Sequence, residues 1–192
     1  MKVGLAVLLG AAALTATGSP GPGAGAVARP SVPVSGDSLE LQWRHRIPGT
    51  GVGFEGVAVA DLDGDGSREV VATGAAIGSQ TRGVWNILKW DGTTYKLEWT
   101  SEHFTTLIRS FAVANVDADP TPEVIVAAGY RLLVYDGATR QIQASIATPF
   151  GITGVEIADI DGDAALEAVV CSNTAGLFVY SFPSGTLEFQ NP

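Results

Sequence analysis

Asp61-Leu62-Asp63-Gly64-Asp65-Gly66-Ser67-Arg68-Glu69 places acidic side chains at positions 1, 3, 5 and 9 of one short loop. Carboxylates at alternate positions of a tight turn converge, and they repel unless a cation lies between them. Gly64 and Gly66 let the backbone curl, because glycine takes positive φ without a Cβ clash. Hard oxygen donors in this number suit Ca2+, which takes about 6–8 oxygens at roughly 2.3–2.6 Å. The competing reading is a solvated acidic hairpin turn. An EF-hand is excluded: its loop needs a bidentate Glu at position 12 between two helices, whereas position 12 here is Ala72 and the flanks are strand-like.

The loop comes back twice. Asn115-Val116-Asp117-Ala118-Asp119-Pro120-Thr121-Pro122-Glu123 repeats the spacing, as does Asp159-Ile160-Asp161-Gly162-Asp163-Ala164-Ala165-Leu166-Glu167. Eleven of the 20 acidic residues fall in these three loops, so the net charge of −9 is concentrated where a cation would neutralise it. Each loop is entered from an apolar segment (Val57–Ala60, Phe111–Ala114, Val155–Ala158) and left through another (Glu69–Ala72, Glu123–Val126, Glu167–Val170). The later copies are weaker. Asn115 replaces a carboxylate, Pro120 and Pro122 stiffen the second loop, and Ala164 stands where the first loop has Gly66. The expected order of calcium affinity is therefore first loop, third, second.

Two further markers recur in step with the loops. One is Leu41-Gln42-Trp43, Leu97-Glu98-Trp99, Ile142-Gln143-Ala144 and Leu187-Glu188-Phe189. The other is Leu133-Val134-Tyr135-Asp136-Gly137, matched by Phe178-Val179-Tyr180 and, more loosely, by Leu88-Lys89-Trp90-Asp91-Gly92. Alternating apolar and polar residues mark half-buried strands, and Asp-Gly marks a hairpin turn. Each unit thus reads strand, acidic loop, strand, strand, turn, strand. Four antiparallel strands per repeat of this length make a β-propeller blade. The expected fold is all-β, with three such blades over about residues 47–101, 105–146 and 150–190 and no helix among them.

Upstream of the repeats, residues 1–28 read as a secretory signal peptide. Lys2 supplies the positive start, Leu5 to Leu14 the apolar stretch, and Ala26-Val27-Ala28 a small-residue cleavage site. The apolar stretch is too short to span a membrane. Residues 29–38 read as a linker, and 39–192 as the repeat segment. Hydrophobic content of 46% is ample for a core, and the basic residues do not cluster, which argues against a nucleic-acid partner. The single cysteine, Cys171, lies in an apolar run and reads as a buried, inert thiol.

These units resemble the FG-GAP/VCBS-type repeats, the calcium-binding blades of integrin α-subunit propellers and of many secreted bacterial proteins. The resemblance is carried by Val57-Ala58-Val59-Ala60-Asp61-Leu62-Asp63-Gly64-Asp65-Gly66 with Glu69-Val70-Val71, and by the two degenerate copies. It implies one Ca2+ per loop, held through positions 1, 3, 5, 7 (by its main-chain carbonyl) and 9. The implied ligands are Asp61, Asp63, Asp65, Ser67 and Glu69; Asn115, Asp117, Asp119, Thr121 and Glu123; and Asp159, Asp161, Asp163, Ala165 and Glu167. Propellers close with about 4–8 blades. Three blades therefore imply a partial propeller completed by further blades from a longer chain or by self-association, or an open propeller, an arc with two exposed blade faces.

The function expected on this reading is a secreted or cell-surface (or periplasmic) calcium-binding scaffold for binding or adhesion, with an extracellular protein or glycan as partner. The alternative is the propeller part of a secreted polysaccharide-active enzyme such as a lyase. Loops between blades at Pro48–Glu55, His103–Ser110 and Thr148–Thr153 carry Phe54, Glu55, His103, Phe104, Arg109 and Phe150. Their aromatics either meet a partner or fill gaps between blades. His103 with Arg109 is the one pair that offers a base beside an electrophilic group.

Overall fold

The computed structural model describes residues 56–75, 81–117, 119–182 and 184–191. All of these lie in the second of two compact units, Arg46–Pro192. The expected leader, the linker, the strand from Leu39, and Phe54 and Glu55 lie outside the described residues.

Twelve strands follow one another: β1 Val57–Ala60, β2 Glu69–Ala75, β3 Gly83–Trp90 and β4 Tyr95–Thr100; β5 Ile108–Ala114, β6 Glu123–Ala128, β7 Arg131–Asp136 and β8 Ile142–Ala147; β9 Gly154–Ala158, β10 Glu167–Ser172, β11 Gly176–Ser181 and β12 Leu187–Asn191. They form three four-stranded antiparallel sheets whose hydrogen-bonding order follows the chain. These are the three expected blades, and no helix occurs among the described residues. The acidic loops are the turns between the first and second strands of each blade. Their closing glutamates pair identically, with Glu69 opposite Ala60, Glu123 opposite Ala114 and Glu167 opposite Ala158.

The fourth strands carry the expected marker, and each is bulged at the same point. Leu88 pairs with Leu97 and Ile87 with Trp99; Tyr135 pairs with Ile142 and Val134 with Ala144; Tyr180 pairs with Leu187 and Val179 with Phe189. One residue is left over each time, namely Glu98, Gln143 and Glu188, as a β-bulge requires.

This register corrects the alignment of the third marker in the first blade. Val70 faces Leu88, whereas its counterparts Val124 and Ala168 face Tyr135 and Tyr180. Leu88 therefore occupies the place of Tyr135, not of Leu133. The first hairpin simply runs further before turning. It adds the rungs Lys89 with Lys96 and Trp90 with Tyr95, and it turns only at Asp91, whose N–H donates to the Thr94 carbonyl at 3.0 Å.

Alternation along the second strands decides what packs where, because successive strand residues face opposite sides. Val71, Trp85 and Ile87 of the first blade form one core with Phe111, Val124, Val126 and Tyr135 of the second. Ile125, Ala127, Leu132 and Val134, on the opposite face of the second blade, form another with Ala168, Val170, Phe178 and Tyr180 of the third. Trp85 anchors the first interface, its ring centroid 4.5 Å from Trp99 and 5.3 Å from Tyr135.

The position-2 residue of each loop follows the same rule. Leu62 is buried in the first interface, Val116 packs against the second, and Ile160, with no further blade beyond it among the described residues, is 53% exposed. The third blade's outward face is exposed at Leu177 and Phe189 too.

Cys171 belongs to that outward face, and here the expectation of a buried thiol is corrected: the side chain is exposed. Val170 points into the core, so its neighbour on β10 points away from it. An apolar run signals burial on both faces only when both faces are covered. Phe104 and Phe150 are buried, and Phe150 stacks on Phe178 with centroids 4.0 Å apart. These aromatics fill gaps between blades. His103 and Arg109 are exposed.

Candidate metal centres in the acidic loops

Each loop is built by the same hydrogen bonds. The closing glutamate folds back, and its Oε2 accepts the N–H of position 2: Leu62 to Glu69 at 2.9 Å, Val116 to Glu123 at 2.7 Å and Ile160 to Glu167 at 2.9 Å. Position 3 accepts from the N–H of position 5, with Asp63, Asp117 and Asp161 bonded to Asp65, Asp119 and Asp163 at 3.3, 2.8 and 3.2 Å. Position 5 accepts from position 7, where Ser67, Thr121 and Ala165 donate at 2.7, 2.7 and 2.8 Å. Such Asx turns commit one oxygen of each carboxylate to the backbone.

Position 1 explains why the second loop differs. In the first loop Asp61 Oδ2 accepts the N–H of Gly66 at 2.9 Å, and in the third Asp159 Oδ2 accepts that of Ala164 at 3.2 Å. The second loop has Pro120 there, which has no N–H to give. Asn115 compensates by reversing the polarity, its Nδ2 donating to the Asp119 carbonyl at 2.7 Å. Asn115 and Pro120 are thus one local solution rather than two separate losses. The third loop keeps the shape of the first with a non-glycine residue, as Ala164 has φ 72° where Gly66 has φ 86°.

These bonds draw carboxylates together. Oxygens of Asp61, Asp63 and Glu69 lie within 4.8 Å of one another, as do those of Asp117, Asp119 and Glu123, and those of Asp159, Asp161 and Glu167. The three glutamates are buried, at 0%, 0% and 2% exposure. Each cluster fits a metal ion bound through oxygen. Asp65 and Asp163 fall outside these tightest groups, and Asn115, Ser67, Thr121 and Ala165 shape the loops through the contacts already given.

Electrostatics separates the loops. In the second, Glu123 Oε1 is buried without a hydrogen-bond partner. Burial pushes the Glu123 carboxyl above its usual range, the charges of Asp117 and Asp119 push the same way, and hydrogen bonds from the Val116 N–H and its own backbone oppose them in part. Gln143, the bulge residue, offers a neutral amide to Asp117 at 3.1 Å and to Asp136 at 3.4 Å.

The first loop contains a cation that sequence analysis missed. Lys89 Nζ lies 2.5 Å from Asp63 Oδ2, 2.8 Å from Asp65 Oδ2 and 3.4 Å from Glu69 Oε1. Hydrogen bonds to Asp63 and Asp65 raise the Lys89 pKa, and Lys89 in turn holds Asp65 below its usual value. Counting the β2–β3 register outward from Glu69 would have found this lysine. The shared Asp-Gly signal hides it, because it sets Lys89 level with Val134.

No family model matches this chain, and no curated protein matches it. Among solved structures it is similar to BBS1N in complex with ARL6DN, in crystals soaked with lead and with mercury. For the lead-soaked crystal the TM-score is 0.44 at 14% identity, covering 74% of this chain and 57% of that one. For the mercury-soaked crystal the TM-score is 0.43 at 12% identity, covering 76% and 60%. The chain thus spans less than two thirds of either.

Proposed function

We propose that this chain is a calcium-binding β-propeller segment of an exported protein. On this reading the ions stiffen the acidic loops, and the blades form a scaffold for contact with another protein or a glycan outside the cell. The observation that carries the calcium assignment is Glu123: a fully buried carboxyl group with one oxygen unpaired, clustered with Asp117 and Asp119. An unpaired buried polar group costs about 1–3 kcal/mol, and more when charged. A hard cation among these oxygens removes that cost. Carboxylates and carbonyls favour Ca2+, Mg2+ or Mn2+ over the softer metals that seek nitrogen or sulfur, and the flexible shell of Ca2+ suits an irregular loop.

In the second loop Asp117, Asp119 and Glu123 would hold the ion, with Asn115 and Thr121 as the further donors implied by the resemblance. In the third, Asp159, Asp161 and Glu167 would do so. The bound ion supplies charge neutralisation and no chemistry. Export is supported by the leader-like residues 1–28, and contact with a partner by the exposed aromatics Trp90 and Tyr130.

The test is a calorimetric titration of the full chain with CaCl2, paired with thermal melts in calcium and in chelator. Ion binding with a calcium-dependent rise in Tm is expected. A ligand at a hundred times its Kd stabilises the folded state by about 2.7 kcal/mol per site. No heat of binding and coincident melts would overturn the assignment.

A further inference from the structure

We infer that Lys89 is the cation of the first loop, a built-in counter-ion in the place where an ion would bind, so that divalent ions enter only the second and third loops. The inference rests on the reading of those two loops as calcium sites. It reverses the affinity order that the glycines of the first loop suggest.

The argument starts from hairpin length. Glu69, Glu123 and Glu167 occupy equivalent positions. Glu123 pairs across the blade with Asp136, and Glu167 with Ser181. Continuing the register one rung outward from the Val70–Leu88 pair puts Lys89 beside Glu69, and its Nζ lies 3.4 Å from Glu69 Oε1. In the second and third blades the chain is already turning there. Asp136 accepts from the Thr139 N–H to close its own turn, and the Ser181 N–H donates to the Thr186 carbonyl at 2.9 Å. Neither residue supplies a positive charge. In the first blade the hairpin runs on, so this position remains strand and carries a long side chain. Its ammonium reaches three carboxylates of the loop at 2.5, 2.8 and 3.4 Å.

An ammonium among these oxygens and an ion coordinated by them at about 2.3–2.6 Å exclude each other. The lysine is tethered, so it acts at an effective concentration of millimolar order. Weak extracellular calcium modules have Kd values of roughly 10⁻⁴–10⁻³ M, so a tethered competitor at this level suppresses such a site. Glu69 shows the consequence. Its Oε1 has no hydrogen-bond partner, like Glu123 Oε1, but it faces a positive charge.

The experiment counts calcium bound per full-length chain by equilibrium dialysis, in wild type, Lys89→Met and Asp63→Asn, with melts of each in chelator. The expected counts are two in wild type, three in Lys89→Met, and an unchanged two in Asp63→Asn. Lys89→Met should also melt several degrees lower than wild type in chelator, with the loss recovered in calcium. Three ions in wild type, two in Lys89→Met, or a loss of one in Asp63→Asn would each overturn the inference. Asp63→Asn decides the matter even if Lys89→Met fails to fold. If no variant binds calcium, the calcium reading itself fails, and the chelator melt of Lys89→Met still tests the lysine: an unchanged Tm shows that it does not hold the loop.

Discussion

Replacing Glu123 by Gln should make the protein more stable without calcium and less stable with it. The side chain is fully buried, its Oε2 takes the Val116 N–H at 2.7 Å, and its Oε1 has no partner. Glutamine keeps the acceptor for Val116 and turns an N–H2 donor toward Asp117 and Asp119. Satisfying a buried, unpaired atom is worth about 1–3 kcal/mol. At about 2–4 °C per kcal/mol for a chain of this size, Tm in chelator should rise by roughly 2–12 °C. In saturating calcium the variant should forgo the second loop's share, about 2.7 kcal/mol at a hundredfold excess over Kd.

A pH series checks the same cause. The Glu123 pKa is raised in the fold above the ordinary 4.5, so the folded state holds the proton more tightly than the unfolded chain. That contribution is fully present below the unfolded value and is lost as pH rises through the folded one. In chelator, wild type should gain stability on this account as pH falls into the carboxylate range, and Glu123→Gln should lack that component. Differential scanning fluorimetry across pH, with and without calcium, reads both effects. A Glu123→Gln protein that melts below wild type in chelator would refute the reasoning, because the carboxylate would then be making a stabilising contact in the ion-free fold.

Three other outcomes follow from particular atoms. Ala164→Gly should stabilise the chain by about 1 kcal/mol in a chemical melt, since Ala164 stands at φ 72° where a Cβ is strained. Gly137→Ala should cost about 1–3 kcal/mol, because a Cβ there would lie 2.2 Å from the Pro122 carbonyl oxygen and 3.1 Å from that of Leu62. Tyr135 should resist ionisation, as burial and then the charge of Glu102 push its pKa from 10.0 up to about 12. The stability it contributes is intact below pH 10.0 and is lost as pH climbs to about 12. Burial raises Tyr180 as well, so absorbance at alkaline pH should show a late phenol component that Tyr135→Phe reduces and does not abolish.

Much of this architecture could be read from spacing. The loop-to-loop period, the apolar flanks and the fourth-strand marker placed three blades, because antiparallel meanders print their alternation locally. The loop carboxylates were legible for the same reason. What escaped depends on contacts between strands. Lys89 reaches the first loop only because its hairpin is longer, and the shared Asp-Gly signal concealed that. Cys171 reads as buried in the sequence and is exposed in the fold, because an apolar strand does not say whether its second face is covered. The burial of the three glutamates was not visible either, since position 9 looks like one more surface acid until its Oε2 is seen to bind a loop amide.

Leu62 and Val116 join two structures that are otherwise separate. Each has its amide held by the closing glutamate of its own loop, while its side chain lies in the seam with the following blade. Whatever orders a loop therefore also orders a seam. Stability in this array should propagate between nearest neighbours, as in repeat proteins whose units share their folding free energy across interfaces. Charge neutralisation in the first loop would be felt in the second blade, and that in the second loop in the third blade. Ile160 ends the series with its side chain in solvent, so the third loop transmits nothing onward within the described residues. Because such coupling is reciprocal, a well-packed seam also steadies the loop that feeds it.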